Sequence, residues 1–336
     1  MGGGARGHLV TPRALLAADC GRGVGLGHLE RMLALADALR PDVDIFLLIP
    51  EDDPELQARV TDRGHKVLPA QGDTCERVEE SLRNSVAFDA VVLDGYVFPV
   101  GLQRQLRDQA PLTVVDDLQL PADCDMAVNP SPGGEAMRPA GAASFLGGAR
   151  YALIRDSVVR ARELVLRRGR DQRSVLVSTG ATDLAGLGPA LAHALLDRDA
   201  GCEVTRVVGP DSRDTRVTQL REHVLVAPPD LADALAAATI YAGAAGTTAV
   251  QAACAGIPAV ITPVVSNQHA QAAALAAAGC AIVADPAEFA GACLALLDDP
   301  ERRAEMATRG RALIDGRGAA RVADAVRHLV AARTAS

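Results

Sequence analysis

Short runs of aliphatic residues recur along the chain, separated by longer stretches in which apolar residues fall three and four positions apart. In the first half the runs are RALLAAD (13–19), DIFLLIP (44–50), KVLPA (66–70), AVVLDGY (90–96), LTVVDD (112–117) and MAVNP (126–130). In the second they are SVLVSTG (174–180), VTRVVG (204–209), HVLVAP (223–228), TIYAG (239–243), PAVITP (258–263) and AIVAD (281–285). Runs that are continuous rather than alternating suit strands covered on both faces, as in a parallel sheet. The segments between them, such as 29–39, 54–63, 101–109 and 268–278, have helical spacing and length. Strand, helix, strand throughout predicts βαβ units. The rhythm breaks once, in the charged stretch 155–173, which reads as helical at first and then as a basic linker. The predicted fold is therefore α/β, with two doubly wound, Rossmann-like parallel-sheet domains. These are residues 8–155 and 174–318, with a linker at 156–173 and a closing helix at 319–334. Ligands of such sheets bind beyond the carboxyl ends of the strands, so the cleft between the two domains is the expected site.

Composition narrows the function classes. Aromatic residues are 2% of the 336, with no Trp, so the core is built from small aliphatic contacts. Net charge is −8 and no run of Lys or Arg forms a basic stripe, which argues against nucleic acid or an anionic membrane as the main partner. The first residues lack the apolar core of a signal peptide, and no apolar stretch is free of polar residues for long enough to span a bilayer. The expectation is a cytoplasmic protein without an integral membrane segment. The seven cysteines are odd in number and none has CxxC spacing, which suits free thiols rather than a disulfide frame or a zinc site. No HExxH, Walker lysine or nucleophile elbow is present, so neither metal nor cofactor is expected.

Five strand ends carry the candidate chemistry. CGRGVGLGHLERMLALADAL (20–39) places glycines at 23, 25 and 27, then His28, then an apolar face of Leu29, Met32, Leu33, Ala36 and Leu39. This is not a dinucleotide fingerprint, since the place of its third glycine is taken by His28. Gly25 and Gly27 let backbone amides approach a ligand, and His28 falls at a helix N-terminus. There the helix dipole, worth roughly 0.3–1 kcal/mol, favours a neutral imidazole able to take a proton from water or a hydroxyl. VSTGATD (177–183) offers Gly180, Ala181, Thr182 and Asp183. YAGAAGTTAVQ (241–251) offers Ala245, Gly246, Thr247, Thr248 and Gln251. Both put amides and hydroxyls at helix N-termini, an arrangement that holds a diphosphate without lysine. LDGYVF (93–98) and VVDD (114–117) bring Asp94, Tyr96 and Asp117 to the cleft. Asp116 and Asp117 point apart, one of them tying down loop backbone. His8, His65, His193 and His328 read as solvated surface, and His269 and His223 as helix and strand-edge positions.

The second half, through AGAAGTTAVQAACAGIPAVITPV and NQHAQAAALAAAGCAIV, resembles the nucleotide-binding domain of GT-B enzymes. With GVGLGHLERMLALA, LDGY, VVDDLQLPADCDMAVNPS, GARYALIRDSV and VSTGATD, the ordered set from about 14 to 285 is similar to a narrower family. This is the UDP-2,4-diacetamido-2,4,6-trideoxy-β-L-altropyranose hydrolases of pseudaminic acid synthesis. The resemblance implies a GT-B fold, a metal-independent site and a nucleotide-diphospho-sugar substrate cleaved with inversion to free sugar and nucleoside diphosphate. It implies that His28 activates water at the anomeric carbon, that Tyr96, Asn267 and Gln268 lie at the sugar, and that Gly180–Asp183 and Gly246–Thr248 hold the diphosphate. The chain departs from the family at Gln251, where a glutamate usually meets the ribose, and at Ala181, which replaces a glycine. The same scaffold also suits a glycosyltransferase acting on a soluble acceptor, or a binder without turnover.

Overall fold

The structure, a computed structural model, describes residues 11–21, 25–40, 42–83, 87–167, 172–180, 183, 186–210, 212, 215, 217 and 219–334. Two parallel sheets are present, as the aliphatic runs predict. The first contains β1 (Arg13–Ala18), β2 (Asp44–Pro50), β3 (Lys66–Ala70), β4 (Ala90–Asp94), β5 (Leu112–Val115), β6 (Cys124–Asn129) and β7 (Ala142–Gly147). Their spatial order is β3-β2-β1-β4-β5-β6-β7. The second contains β8 (Ser174–Ser178), β9 (Glu203–Val208), β10 (Glu222–Val226), β11 (Ile240–Ala244), β12 (Ala259–Thr262) and β13 (Ala281–Val283), in the order β10-β9-β8-β11-β12-β13. Central strands pair in register through aliphatic positions, Leu16 with Leu47 on one side and Val92 on the other. Strand β7 has no counterpart among the predicted runs. It is a half-exposed edge strand of sequence AASFLG, so it needs no continuous apolar run.

In each sheet the winding direction reverses beside the first strand, between β1 and β4 and between β8 and β11. Such reversals open a crevice at the strands' carboxyl ends. His28 and Asp94 come from the first crevice, and Gly180 and Gly246 from the second.

The chain crosses between domains twice. The helix Asp156–Arg167, at the start of the predicted linker, packs Val158 into a core with Ala249 and Ala253 of the second domain. The helix Gly318–Thr334 returns to the first domain, where Ala319, Val322, Ala323 and Val326 join Leu29, Met32 and Leu33 in one core. At the crossing, Arg162 donates to the carbonyls of Cys254 (2.5 Å) and Asp315 (3.1 Å), and Arg321 pairs with the Asp315 carboxylate. One surface expectation is corrected. His65 is 5% exposed, because the turn before β3 sets its Nε2 2.7 Å from Oδ1 of Asp37 in the helix Gly27–Leu39.

Candidate functional site

The helix Gly27–Leu39 begins one residue before His28, and Gly25, Gly27 and His28 line a cavity of about 390 Å³ between the domains. A Cβ on Gly27 would stand 3.1 Å from Thr247 Oγ1, so glycine here lets the first domain approach the second closely. Gly23 lies outside the described residues. His28 Nδ1 is 2.7 Å from Asp94 Oδ1. Asp94 ends β4 and is fully buried. It does not line the cavity and acts behind His28, where the sequence reading had it facing the cleft. Burial pushes its carboxyl up, but the Arg31 guanidinium and His28 prevail and hold it below the usual carboxylate range. His28 Nδ1 also lies 2.7 Å from Arg31 Nη2, which only donates, so Nδ1 stands between a donor and an ionised acceptor. The tautomer that bonds Asp94 carries its proton on Nδ1 and leaves Nε2 with a lone pair.

Arg31 is one residue that sequence reasoning missed. Its Nε donates to Asp94 Oδ2 (2.9 Å), its Nη2 to Asp94 Oδ1 (2.6 Å) and its Nη1 to Asp117 Oδ2 (3.0 Å). Asp117 also accepts from the Tyr96 hydroxyl, which in turn accepts from Asn267 Nδ2 at 2.8 Å across the cleft. The Tyr96 ring stands edge-on to His28 with centroids 5.0 Å apart. Burial first, then Asp117, pushes the Tyr96 phenol up, so it remains a donor at neutral pH. Asp116 turns away from the site and accepts from the amides of Leu118 (2.9 Å) and Leu120 (2.7 Å).

On the opposite wall, Ser178 ends β8 and Thr179 and Gly180 follow it. Gly180 has φ +98° with open space where a Cβ would be. Ala181 and Thr182 lie outside the described residues. Asp183 does not line the cavity. Its carboxylate accepts from the amides of Leu187 and Gly188, both at 3.1 Å, at the start of the helix Leu187–Arg198. Gly246 caps the helix Thr247–Ala255, and Gly246, Thr247 and Thr248 all line the cavity, where the first amides of that helix lack intrahelical partners. Ala245 is fully buried, and its carbonyl accepts from Gln271 Nε2 (2.5 Å), a second residue not anticipated. Gln268 Oε1 accepts from the Val264 amide (3.0 Å) and so shapes the loop before Asn267. Gln251 lines the cavity with 4% exposure, and its Oε1 has no hydrogen-bond partner. A buried orphan acceptor costs about 1–3 kcal/mol, which a hydroxyl donor in the cavity would recover.

Among the described residues, no group of three or more His, Cys, Asp or Glu could hold a metal ion, and no helix is long and apolar enough to cross a membrane. The cysteines are free and mostly buried, and burial pushes the Cys20 and Cys124 thiols up to about 12.

No family model matches the chain. An uncharacterized protein of Methanocaldococcus jannaschii is 22% identical over 200 residues, which span 56% of this chain and 40% of that protein. Solved structures match far more of the length. MurG of Acinetobacter baumannii aligns with TM-score 0.65 and 16% identity over 94% of this chain and 99% of its own. The calicheamicin glycosyltransferase CalG4 aligns with TM-score 0.64 and 19% identity over 96% and 98%. The spinosyn rhamnosyltransferase SpnG complexed with thymidine diphosphate aligns with TM-score 0.56 and 18% identity over 95% and 96%. The chain has the two-domain GT-B fold.

Proposed function

We propose that this chain is an inverting glycosyltransferase that moves a sugar from a nucleoside-diphosphate donor to an acceptor hydroxyl or amine. The observation that carries the reading is the His28–Asp94 pair set across one cavity from the amide-rich helix start at Gly246–Thr248. Likeness in fold to glycosyltransferases supports transfer, and the thymidine diphosphate complex of SpnG supports a nucleoside-diphosphate donor. In this reading the diphosphate rests on Gly180 and on Gly246–Thr248, and the ribose donates a hydroxyl hydrogen bond to Gln251 Oε1. The sugar faces Tyr96, Asp117 and Asn267. His28 Nε2 takes the acceptor proton while the acceptor atom bonds to the anomeric carbon. The carbon–oxygen bond to the diphosphate breaks on the opposite face, and its electron pair leaves with the diphosphate. Asp94 balances the imidazolium, and the helix amides meet the leaving charge.

A second reading places water where the acceptor stands and makes the protein a nucleotide-sugar hydrolase. The ordered sequence blocks between about 14 and 285 favour it. One experiment separates the two: incubation with a panel of nucleotide amino-sugars in ¹⁸O-labelled water, with and without acceptor alcohols and amines, followed by mass spectrometry. Glycoside formed only when an acceptor is added supports transfer. Label in free sugar without acceptor supports hydrolysis. Label in the phosphate means attack at phosphorus and removes both readings.

A further inference from the structure

At the other end of the same cavity stands a charge cluster that this chemistry leaves unused. Glu30, Arg59, Arg155 and Asp230 all line it. Glu30 Oε1 lies 3.7 Å from Arg59 Nη1, and Glu30 Oε2 lies 3.2 Å from Arg155 Nη1. Arg155 Nη2 pairs with Asp230 Oδ1 at 3.0 Å, and its Nη1 donates to the Pro229 carbonyl at 3.1 Å. Arg59 donates to the carbonyls of Ala227 (2.5 Å) and Pro228 (3.2 Å), and Arg63 donates to Pro229 (3.3 Å). Three arginines, two from the first domain and one from the interdomain junction, thus grip the single second-domain loop that follows β10.

The grip is incomplete. The Nε atoms of Arg59 and Arg155, residues 8% and 4% exposed, are buried without a hydrogen-bond partner, and Glu30 Oε2 rests on its ion pair with Arg155. Buried charges that are only partly satisfied destabilise a fold that holds them without further partners. The loop itself is strained at Ala227, whose φ of +41° is left-handed. Glu30 also shares its helix with the catalytic end. Successive helix residues are about 100° apart. His28 and Arg31, three apart, turn to Asp94, while Glu30 turns to Arg59 and Arg155, the arginines that hold the second-domain loop.

We propose that Glu30 is a positioning residue: with Arg59 and Arg155 it forms a latch that holds the cleft closed over a bound nucleotide and, through the helix Gly27–Leu39, sets the place of His28. The nucleotide in this statement rests on the functional reading above, whereas the latch is a property of the free chain. With the helix start pinned on both sides, opening at Glu30 displaces His28 from any bound sugar.

The test uses Glu30→Gln, which keeps the shape but removes the charge both arginines share, and Asp230→Asn as a milder variant on the facing loop. Thermal melts establish that each is folded. Small-angle X-ray scattering of the free full chain is expected to show a larger radius of gyration in both variants than in the wild type. Steady-state turnover is expected to fall about tenfold in kcat, with KM for the donor raised, as a shift toward an open population requires. His28→Ala serves as the contrast: kcat falls about 10²–10⁴-fold with the scattering profile unchanged. An unchanged radius of gyration in both folded variants, or opening without loss of kcat, overturns the proposal. A wild type that binds no nucleoside diphosphate sinks the functional reading and with it the link to His28, while the scattering comparison still decides the latch.

Discussion

A carboxylate as deeply buried as Asp94 stays charged because Arg31, with support from His28, meets it with two hydrogen bonds, at 2.6 and 2.9 Å. Arg31→Met leaves that charge unpaired, and removal of one partner from a buried pair costs about 3–5 kcal/mol. The pH dependence is expected to change sign as well. In the wild type the Asp94 carboxyl is depressed, so its stabilisation is present above the ordinary carboxylate range and lost as pH falls through its lowered value. Without Arg31, burial raises the carboxyl, and stability is instead lost as pH rises through it. Urea titrations between pH 3 and 7 read both slopes; parallel profiles would mean that Arg31 does not hold the charge. Gln251 gives a second case with opposed signs. Gln251→Leu removes a buried acceptor without a partner, so stability rises by about 1 kcal/mol, while nucleoside-diphosphate affinity falls by about 0.5–1.5 kcal/mol if the ribose bonds there. Melting and calorimetric binding measure the two, and unchanged affinity places the ribose elsewhere. His28, Tyr96 and Asp117 were legible because polar residues just beyond the carboxyl ends of apolar strands can face the cleft, although Asp94 and Asp116 at the same strand ends turn away from it. Arg31 and Glu30 were not, since a charged residue inside an amphipathic helix ordinarily points to water, and only tertiary structure supplies Asp94 or Arg155.

At the scale of elements, twelve of the thirteen strands among the described residues announce themselves as aliphatic runs, and the central ones do so because strands buried on both faces must be apolar throughout. Strand β7 escapes for the complementary reason: an edge strand rich in Ala, Ser and Gly carries no run to see. Turn chemistry was read less fully. The polar ending VSTGATD suggests ligand contacts from Gly180 to Asp183, yet Asp183 spends both carboxylate oxygens on the amides of Leu187 and Gly188. Asp183→Ala is therefore expected to cost about 1 kcal/mol, within the 0.5–2 kcal/mol range of lost helix caps, with nucleotide affinity unchanged. Denaturant unfolding and calorimetric binding decide it; weakened binding at constant stability would return Asp183 to the nucleotide site.

At the scale of the whole molecule, the chain order of the domains is not the order of their cores. Sequence alone gave the last segment as a closing helix, but not what it closes on. The helix Gly318–Thr334 lies against the helix Gly27–Leu39, so the first domain is completed by the last residues of the chain. Val322 and Val326 are each at most 3% exposed there, and burying two such side chains contributes about 3–6 kcal/mol. That is a large share of the 5–15 kcal/mol by which a domain is ordinarily stable. A chain ending at residue 317 is therefore expected to lose the first domain's cooperative unfolding while the second domain's core, built from residues 149–314, persists. Hydrogen exchange of the amides in β1 and β4, compared with those in β8 and β11, reads this directly. Loss of protection confined to the first pair, with turnover abolished and nucleoside-diphosphate binding weakened but retained, is the outcome that this arrangement requires. Equal protection in both sheets would mean that the helix bearing His28 holds its place without the chain's return.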